Sequence, residues 1–176
     1  MKNLKFKRKQ GGYSFLELGL AFIIIATLAI AVFFGYRLLV GDADAVKLKD
    51  NILNINKAAV STYKHDFSTI TSTALIDSGK LTGDIVSGTD IVNAMGGIVS
   101  LSSQSVLGGS NNAYSQAHPL IDRNTCNTVV TSFSEITFQI DVGATTVKSD
   151  TITPTPATII SACNNTTNTV TFVFVK

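Results

Sequence analysis

Hydrophobic positions divide the chain into one long uninterrupted run and a later region of short alternating segments. The run over residues 18–36 is uncharged for 19 residues. As an α-helix it would be about 28 Å long, which matches a hydrocarbon core of about 30 Å. Beyond it, apolar residues recur at spacings of three and four, which predicts that the helix continues to about Asp66 with one apolar face. The residues of this face are Leu48, Ile52, Ile55, Ala59 and Tyr63.

Between residues 68 and 116 the chain is rich in Thr, Ser, Gly and Asn, which predicts loops with few regular elements. One short helix is expected from Ser72 to Asp77. The sequence Asn-Ala-Met-Gly-Gly at residues 93–97 is a turn signal, and it predicts a strand over residues 98–101. A second polar loop is expected over residues 104–116. It is not a phosphate-binding loop, because no lysine-serine pair follows its glycines.

Two strands are predicted near the end of the chain. In the first, apolar residues alternate with polar ones. The apolar residues of this strand are Ile136, Phe138, Ile140 and Val142. The second strand covers residues 170–175 and is apolar on both faces, which predicts a position well inside a sheet. Between them, a threonine and two prolines precede residues 157–163 and predict a short capped helix. The elements together predict an α+β protein.

Composition supports one apolar segment and one compact domain. The chain has 176 residues, 45% of them hydrophobic, with a mean hydropathy of +0.30, which is too apolar for an ordinary soluble domain unless the long run is set aside. The remaining residues, about 135, suffice for a single domain. Five basic residues in the first nine contribute to a formal charge of +2, and subtracting them leaves −3. A nucleic acid is therefore not expected as a dedicated ligand.

The start of the apolar run carries the candidate chemistry. Basic residues before a span hold that end in the cytoplasm, so the chain beyond about Gly41 is expected to be exported. Glu17 lies near the start of the run, where it either reaches the lipid headgroups or pairs with a positive charge. Gly12 is a small residue that suits a peptidase cleft, and cleavage after it would give Tyr13 a free amine. Glu17 of a neighbouring chain could pair with that amine.

The order Gly-Tyr-Ser-Phe-Leu-Glu at residues 12–17 resembles the prepilin signal of type IV pilins, and in particular that of the type IVb branch. A loop, a short helix, a cysteine, an Asn-rich turn and a last strand also follow each other as at the end of type IVb pilins. The resemblance implies a basic leader over residues 1–12, cleavage between Gly12 and Tyr13, an N-methylated Tyr13 and a role for Glu17 in subunit assembly. It also implies a transmembrane and assembly half-helix over residues 13–40.

The pilin resemblance implies that the second half of the helix packs on an antiparallel sheet in a head domain over residues 41–176. It implies a structural subunit, inserted in the bacterial inner membrane as a precursor and then polymerised into an extracellular pilus for adhesion, aggregation or conjugative contact. The implied partners are other pilin subunits in a helical homopolymer, a prepilin peptidase, an inner-membrane assembly platform and the membrane. The alternatives are a minor pilin or secretion-system pseudopilin that initiates or caps a filament, and a signal-anchored periplasmic binding protein.

An ordinary secretory signal cut near Ala43-Asp44-Ala45 is a further alternative. The apolar run before that site is much longer than the roughly 7 to 15 residues of a cleavable signal. The length of the run therefore disfavours cleavage there.

The cysteines and histidines indicate a structural role. In an exported domain, Cys126 and Cys163 predict a disulfide that closes a loop of about 37 residues and contributes about 3–4 kcal/mol in the chain-entropy model. A metal site would also need His65 and His118, and neither lies at a ligand-like spacing. A solvated His65 is expected near a helix end, and His118 is expected in a turn before Pro119. With no nucleophile motif present, no enzyme activity, cofactor or metal is expected.

Overall fold

The computed structural model describes residues 15–64, 66–81 and 84–175; within α1, the side chains of residues 15–18, 21, 31 and 33–42 are outside the description. The elements in chain order are α1 (Phe15–Tyr63), α2 (Ser72–Asp77), β1 (Val86–Ser87), β2 (Asp90–Ile91), β3 (Ser100–Gln104), β4 (Ala113–Asp122), α3 (Arg123–Phe133), β5 (Gln139–Val142), β6 (Thr145–Lys148), α4 (Pro156–Ala162) and β7 (Thr167–Val175). Two compact units divide the chain: the first ends at Leu39 and the second is Val40–Lys176.

The first unit contains the early part of α1, which carries mainly apolar side chains. The hydroxyl of Thr27 donates to the backbone carbonyls of Ile23 and Ile24 at 3.0 and 2.9 Å, so the helix itself satisfies this polar group. In the part of the chain that the structure describes, no helix combines the length and the apolar character needed to cross a membrane. The span predicted over residues 18–36 includes positions whose side chains lie outside the described residues.

In the second unit, α1 buries the stripe that its periodicity predicts. Leu48, Ile52, Ile55 and Ala59 are fully buried, and Tyr63 is half-buried at the end of the stripe. The helix ends three residues before the expected Asp66, because Lys64 adopts the left-handed conformation with φ 54°. Its backbone N–H still donates to the carbonyl of Val60 at 3.0 Å, which closes the last turn.

A five-stranded antiparallel sheet covers this stripe, in the strand order β3-β4-β7-β5-β6. The last strand, β7, lies between β4 and β5, which confirms its predicted inner position. Aromatic rings fill the space between the sheet and α1. The ring centroids of Tyr114 and Phe67 are 4.9 Å apart, those of Tyr114 and Phe174 are 5.8 Å apart, and those of Phe133 and Phe172 are 5.2 Å apart. The predicted α+β class, with a helix packed on an antiparallel sheet, is confirmed.

Both predicted short helices are also confirmed. The helix α2 has the predicted bounds, and Thr71 caps it by accepting a hydrogen bond from the N–H of Ala74 at 3.1 Å. The helix α4 begins at Pro156, with Thr155 as its N-cap and a reciprocal hydrogen bond from the capping box. A proline in the first turn costs no hydrogen bond, because that N–H has no partner within the helix.

Two expectations about the middle of the chain are wrong. The loop predicted over residues 104–116 ends earlier, because β4 begins at Ala113. His118 lies inside this strand, fully buried, rather than in a turn. Pro119 interrupts the ladder, and the register between β4 and β7 shifts between His118 and Ile121. A proline lacks the N–H that the ladder needs, so it is tolerated in this inner strand only at such an irregularity.

Two predicted strands begin later than expected. The strand expected over residues 98–101 starts at Ser100, since Ile98 forms only an isolated bridge with Val92. The strand expected from Ile136 starts at Gln139, and Ile136 is 59% exposed. Thr137 is buried in its place, because its hydroxyl donates to the carbonyl of Phe133 at 2.8 Å. The helix α3 and the strands β1, β2, β4 and β6 were not predicted.

Asn93 joins the turn at residues 93–97 to the irregular part of β4. Its side-chain oxygen accepts hydrogen bonds from the N–H groups of Met95 and Gly97, both at 2.9 Å. Its side-chain nitrogen donates to the carbonyl of Pro119 at 2.7 Å. A Cβ at Gly97 would lie 2.7 Å from that same carbonyl oxygen, so only glycine fits there. The turn and the strand therefore depend on one buried amide and one glycine.

Replacing Asn93 by alanine is expected to lower the free energy of unfolding by about 2–4 kcal/mol, because it leaves buried backbone groups without partners. The midpoint of thermal unfolding, followed by circular dichroism on the full chain in detergent, should fall by about 5–15 °C. Asn124 is exposed at the start of α3 and provides the matched control. Asn124→Ala should leave the midpoint nearly unchanged, and an equal effect of the two substitutions would contradict the role assigned to Asn93.

Candidate functional site

The residues predicted to direct processing and assembly lie at the start of the chain. Gly12 and Tyr13, the expected cleavage site, and the expected methylation of Tyr13 lie outside the described residues. Glu17 belongs to the first turn of α1, and its side chain also lies outside the description. Their roles in cleavage and assembly stay predictions.

Close to these positions, α1 carries a surface that we call the apolar segment, residues 20–32. Eight large apolar side chains of this segment are each 50–70% exposed. They are Leu20, Phe22, Ile23, Ile24, Ile25, Leu28, Ile30 and Val32. Their spacing along the helix places them on all of its sides, so they surround the helix rather than form a single stripe. Such a surface offers no hydrogen bonds or charges, and it can be covered favourably only by another apolar surface.

A disulfide between Cys126 and Cys163 joins α3 to the end of α4, as expected from the two cysteines. Both residues are fully buried, and their Cα atoms are 5.8 Å apart. The disulfide closes a loop of 37 residues that contains β5 and β6. It therefore links the part of the domain that lies between α3 and β7 into one cross-linked structure.

The helix α3 places Cys126 for this bond. Asp122 is its N-cap, and its carboxylate accepts hydrogen bonds from the N–H groups of Asn124 and Thr125 at 2.9 and 3.2 Å. One face of α3 is buried in the core, including Val129 and Phe133. The cap and the apolar spacing are sequence signals that could have identified this helix.

A line of hydrogen-bonded polar side chains, which we call the core polar chain, crosses the core between β4 and α1. Tyr114 on β4 donates its hydroxyl hydrogen to the side-chain oxygen of Asn56 on α1 at 2.8 Å. The amide nitrogen of Gln116 donates to the Tyr114 hydroxyl at 2.8 Å and to the carbonyl of Ile52 at 3.5 Å. The amide oxygen of Gln116 then faces Nε2 of His118 at 3.2 Å. An amide oxygen can only accept, so Nε2 of His118 carries the hydrogen.

Burial shifts the pKa values of the two titratable side chains in the core polar chain. Desolvation lowers the pKa of His118 to about 3, so the imidazole is neutral at ordinary pH. Burial also raises the pKa of Tyr114, an effect that the hydrogen bond from Gln116 partly offsets. The core polar chain was not predicted from the sequence, although Tyr114, Gln116 and His118 recur at every second position, as inward-facing residues of a strand do.

The described residues do not bring His118 together with either cysteine as a ligand, since both cysteines are in the disulfide. His65, the other histidine considered for a metal site, lies outside the described residues. No group of three or more His, Cys, Asp or Glu side chains is arranged to hold a metal ion in the ranges that the structure describes.

Solved structures of type IV pilins are similar to this fold. The type IV b pilin from Salmonella typhi is 18% identical, with a TM-score of 0.56 over 73% of this chain and 98% of that chain. TcpA, a type IV pilin from the Vibrio cholerae El Tor biotype, is 17% identical, with a TM-score of 0.56 over 74% of this chain and 98% of that chain. At these identities the likeness shows a shared fold.

The family of the protein follows from comparison of its sequence with known families. No curated protein matches the chain significantly. The family model described as PilS N terminal matches residues 44–175, which is most of the chain and nearly all of the second unit. The chain belongs to the PilS N-terminal family and is a type IV pilin.

Proposed function

We propose that this pilin is made as a prepilin, is cut between Gly12 and Tyr13, and polymerises through its half-helix, residues 13–40, into an extracellular type IV pilus. Before assembly, the half-helix holds the subunit in the bacterial inner membrane, and the head domain, residues 41–176, lies outside the cytoplasm. A prepilin peptidase and an inner-membrane assembly platform are the partners in these steps. The filament serves adhesion, aggregation or conjugative contact.

The apolar segment of α1 is the observation that supports this proposal most strongly. Its eight large side chains are half or more exposed in the isolated chain. Fully burying such a side chain contributes about 1.5–3 kcal/mol, so covering the exposed part of all eight is worth on the order of 10 kcal/mol. Single apolar side chains scattered over a protein surface are normal, but a continuous exposed apolar surface of this size is not. The surface therefore favours a permanent apolar partner.

Helices of other subunits are the partner that fits a filament. Lipid tails cover the same surface in the membrane, so assembly gains free energy from close helix packing rather than from leaving water. The hydroxyl of Thr27 supports such packing, because its hydrogen bonds to Ile23 and Ile24 remain within its own helix. No polar partner is then required at that position in the filament core.

The length of the mature chain tests the proposal first. Wild-type protein from the membrane should have the mass of a chain that starts at Tyr13 with one methyl group on its amine. Gly12→Val should keep the leader, because a branched side chain does not fit a cleft that accepts glycine, and it should yield no filaments. Mass spectrometry of the intact protein measures both.

Gly11→Val is the matched control, since Gly11 precedes Gly12 directly and is also glycine. It should be processed at Tyr13 and assemble. A wild-type chain that starts at another residue, or filaments built from subunits that retain the leader, would contradict the proposed processing and would favour the signal-anchored alternative.

A further inference from the structure

The core polar chain connects α1 to the sheet in a way that apolar packing does not. Asn56 and the carbonyl of Ile52 are its contacts on α1, and Tyr114, Gln116 and His118 are its members on β4. Backbone ladders hold β4 to β3 and β7. The second half of α1 has no such ladder, and side chains join it to the sheet. The core polar chain therefore supplies polar contacts between α1 and the sheet, where no backbone ladder joins them.

His118 is the last member of the core polar chain, and its side chain can become charged. It is fully buried, and its Nδ1 has no hydrogen-bond partner. Its ring meets the ring of Phe172 edge-on, with 6.0 Å between the centroids, and Val170 is its register partner on β7. A proton on Nδ1 would create a second N–H donor without an acceptor and a positive charge in an apolar site.

Charged groups near the core do little to stabilise a positive charge on His118. On α1, Asp44 and Lys49 flank the buried stripe and are half-buried. On β4, the carboxylate of Asp122 is engaged as the cap of α3, and Tyr114 is the other titratable member of the chain. The residues of β5 and β7 that face the core are uncharged. Burial is the cause that shifts the pKa of His118, which agrees with the absence of a charged neighbour among the described residues.

We propose that the core polar chain is an acid-sensitive latch, in which a proton taken up at His118 releases the second half of α1 from the sheet while the strands stay paired. The new charge needs water, and water reaches His118 at least cost when α1 moves away. The strands stay joined by their ladders, and α3 stays joined to α4 by the disulfide. This inference concerns the head domain and does not depend on filament formation.

The direction of the pH effect follows from the two pKa values of His118. The ordinary value is 6.5 and the folded value is about 3, so the closed state binds fewer protons than the open state between these values. The contribution of neutral His118 is complete above pH 6.5 and is lost as the pH falls toward 3. Between pH 7 and pH 4 the ratio of open to closed α1 should rise about 200-fold through His118 alone.

Amide hydrogen exchange of the full chain in detergent micelles tests the latch. Peptides from α1 that cover residues 48–60 are compared with peptides from β7 at pH 7 and at pH 4, after correction for the intrinsic exchange rates. The variants are His118→Gln, which stays neutral, and His65→Gln, which removes the other histidine and serves as the control.

In the wild-type chain and in His65→Gln, the protection of residues 48–60 should fall about 200-fold more between pH 7 and pH 4 than in His118→Gln, while β7 keeps its protection. Equal losses in wild type and His118→Gln would overturn the latch. A simultaneous loss in α1 and β7 would also overturn it, because it would mean that the whole domain unfolds.

A second measurement applies if His118→Gln does not fold. Nitrogen NMR of the wild-type imidazole should show the hydrogen on Nε2 at pH 7 and protonation at the pH at which residues 48–60 lose protection. Protonation of His118 while those amides remain protected would overturn the proposal.

Discussion

Glu17→Ala is expected to reduce the number of filaments at least tenfold while leader cleavage and membrane insertion continue. In the proposed filament core, the carboxylate of Glu17 faces the amine of Tyr13 on a neighbouring subunit. A charge-assisted hydrogen bond is strong in such a water-free environment, whereas one charge left there without its partner costs several kcal/mol. Alanine removes the partner of the amine, so an incoming subunit loses the contact that sets its axial position.

Electron microscopy measures filament number and length, and mass spectrometry of the membrane fraction measures cleavage in the same cells. Glu17→Gln should resemble alanine, since an amide supplies no compensating charge. Glu135 is the other glutamate of the chain and is exposed in the head domain, so Glu135→Ala is the matched control and should assemble normally. Co-expressed wild-type subunit should rescue Glu17→Ala only in part. Normal filaments of Glu17→Ala alone would contradict the pairing.

The helices that could be predicted have a strong local signal. The second half of α1 repeats its apolar residues over several turns, so a small error at one position does not change the prediction. The helix α4 has both a threonine cap and a proline in its first turn, at Thr155 and Pro156. Its start therefore depends on the residues of the helix itself and not on contacts elsewhere in the fold.

The strand β4 could not be predicted because its stability depends on distant residues. Two of its inward positions hold Gln116 and His118; glutamine is usually exposed, and histidine is seldom fully buried. They are buried here because the Tyr114 hydroxyl and the carbonyl of Ile52 accept hydrogen bonds from the amide of Gln116. Tyr114 then continues the core polar chain to Asn56 on α1. The same fact explains why the core polar chain was missed, since no local pattern shows that polar side chains will find partners 58 residues apart.

The helix α3 forms although its residues have low helix propensity, because contacts with the rest of the fold stabilise it. Its eleven residues include several threonines, asparagines and valines, which are poor helix formers. The cap at Asp122 and the burial of one face, including Val129 and Phe133, outweigh that preference. The disulfide, by contrast, could be predicted from the cysteine count. Cys126 and Cys163 are the two cysteines of the sequence, and in a domain that is expected to be exported two cysteines predict one disulfide.

Loss of the disulfide should have the largest effect on the stability of the head domain. Replacing both Cys126 and Cys163 by alanine is expected to lower the free energy of unfolding by about 2–5 kcal/mol, because the 37-residue loop becomes free in the unfolded chain. The midpoint of thermal unfolding of the full chain in detergent should fall by about 5–15 °C. Cells should also degrade the variant faster, since a larger fraction of it is unfolded.

The choice of alanine or serine separates two causes of this loss. Both sulfur atoms belong to fully buried residues, so a serine hydroxyl there would add the cost of a buried polar group without an assured partner. The double serine variant should therefore be less stable than the double alanine variant, and reduced wild-type protein should lie close to the alanine variant. A midpoint of the alanine variant equal to that of the oxidised wild type would show that the ladders of β7 to β4 and β5 hold this region without the cross-link.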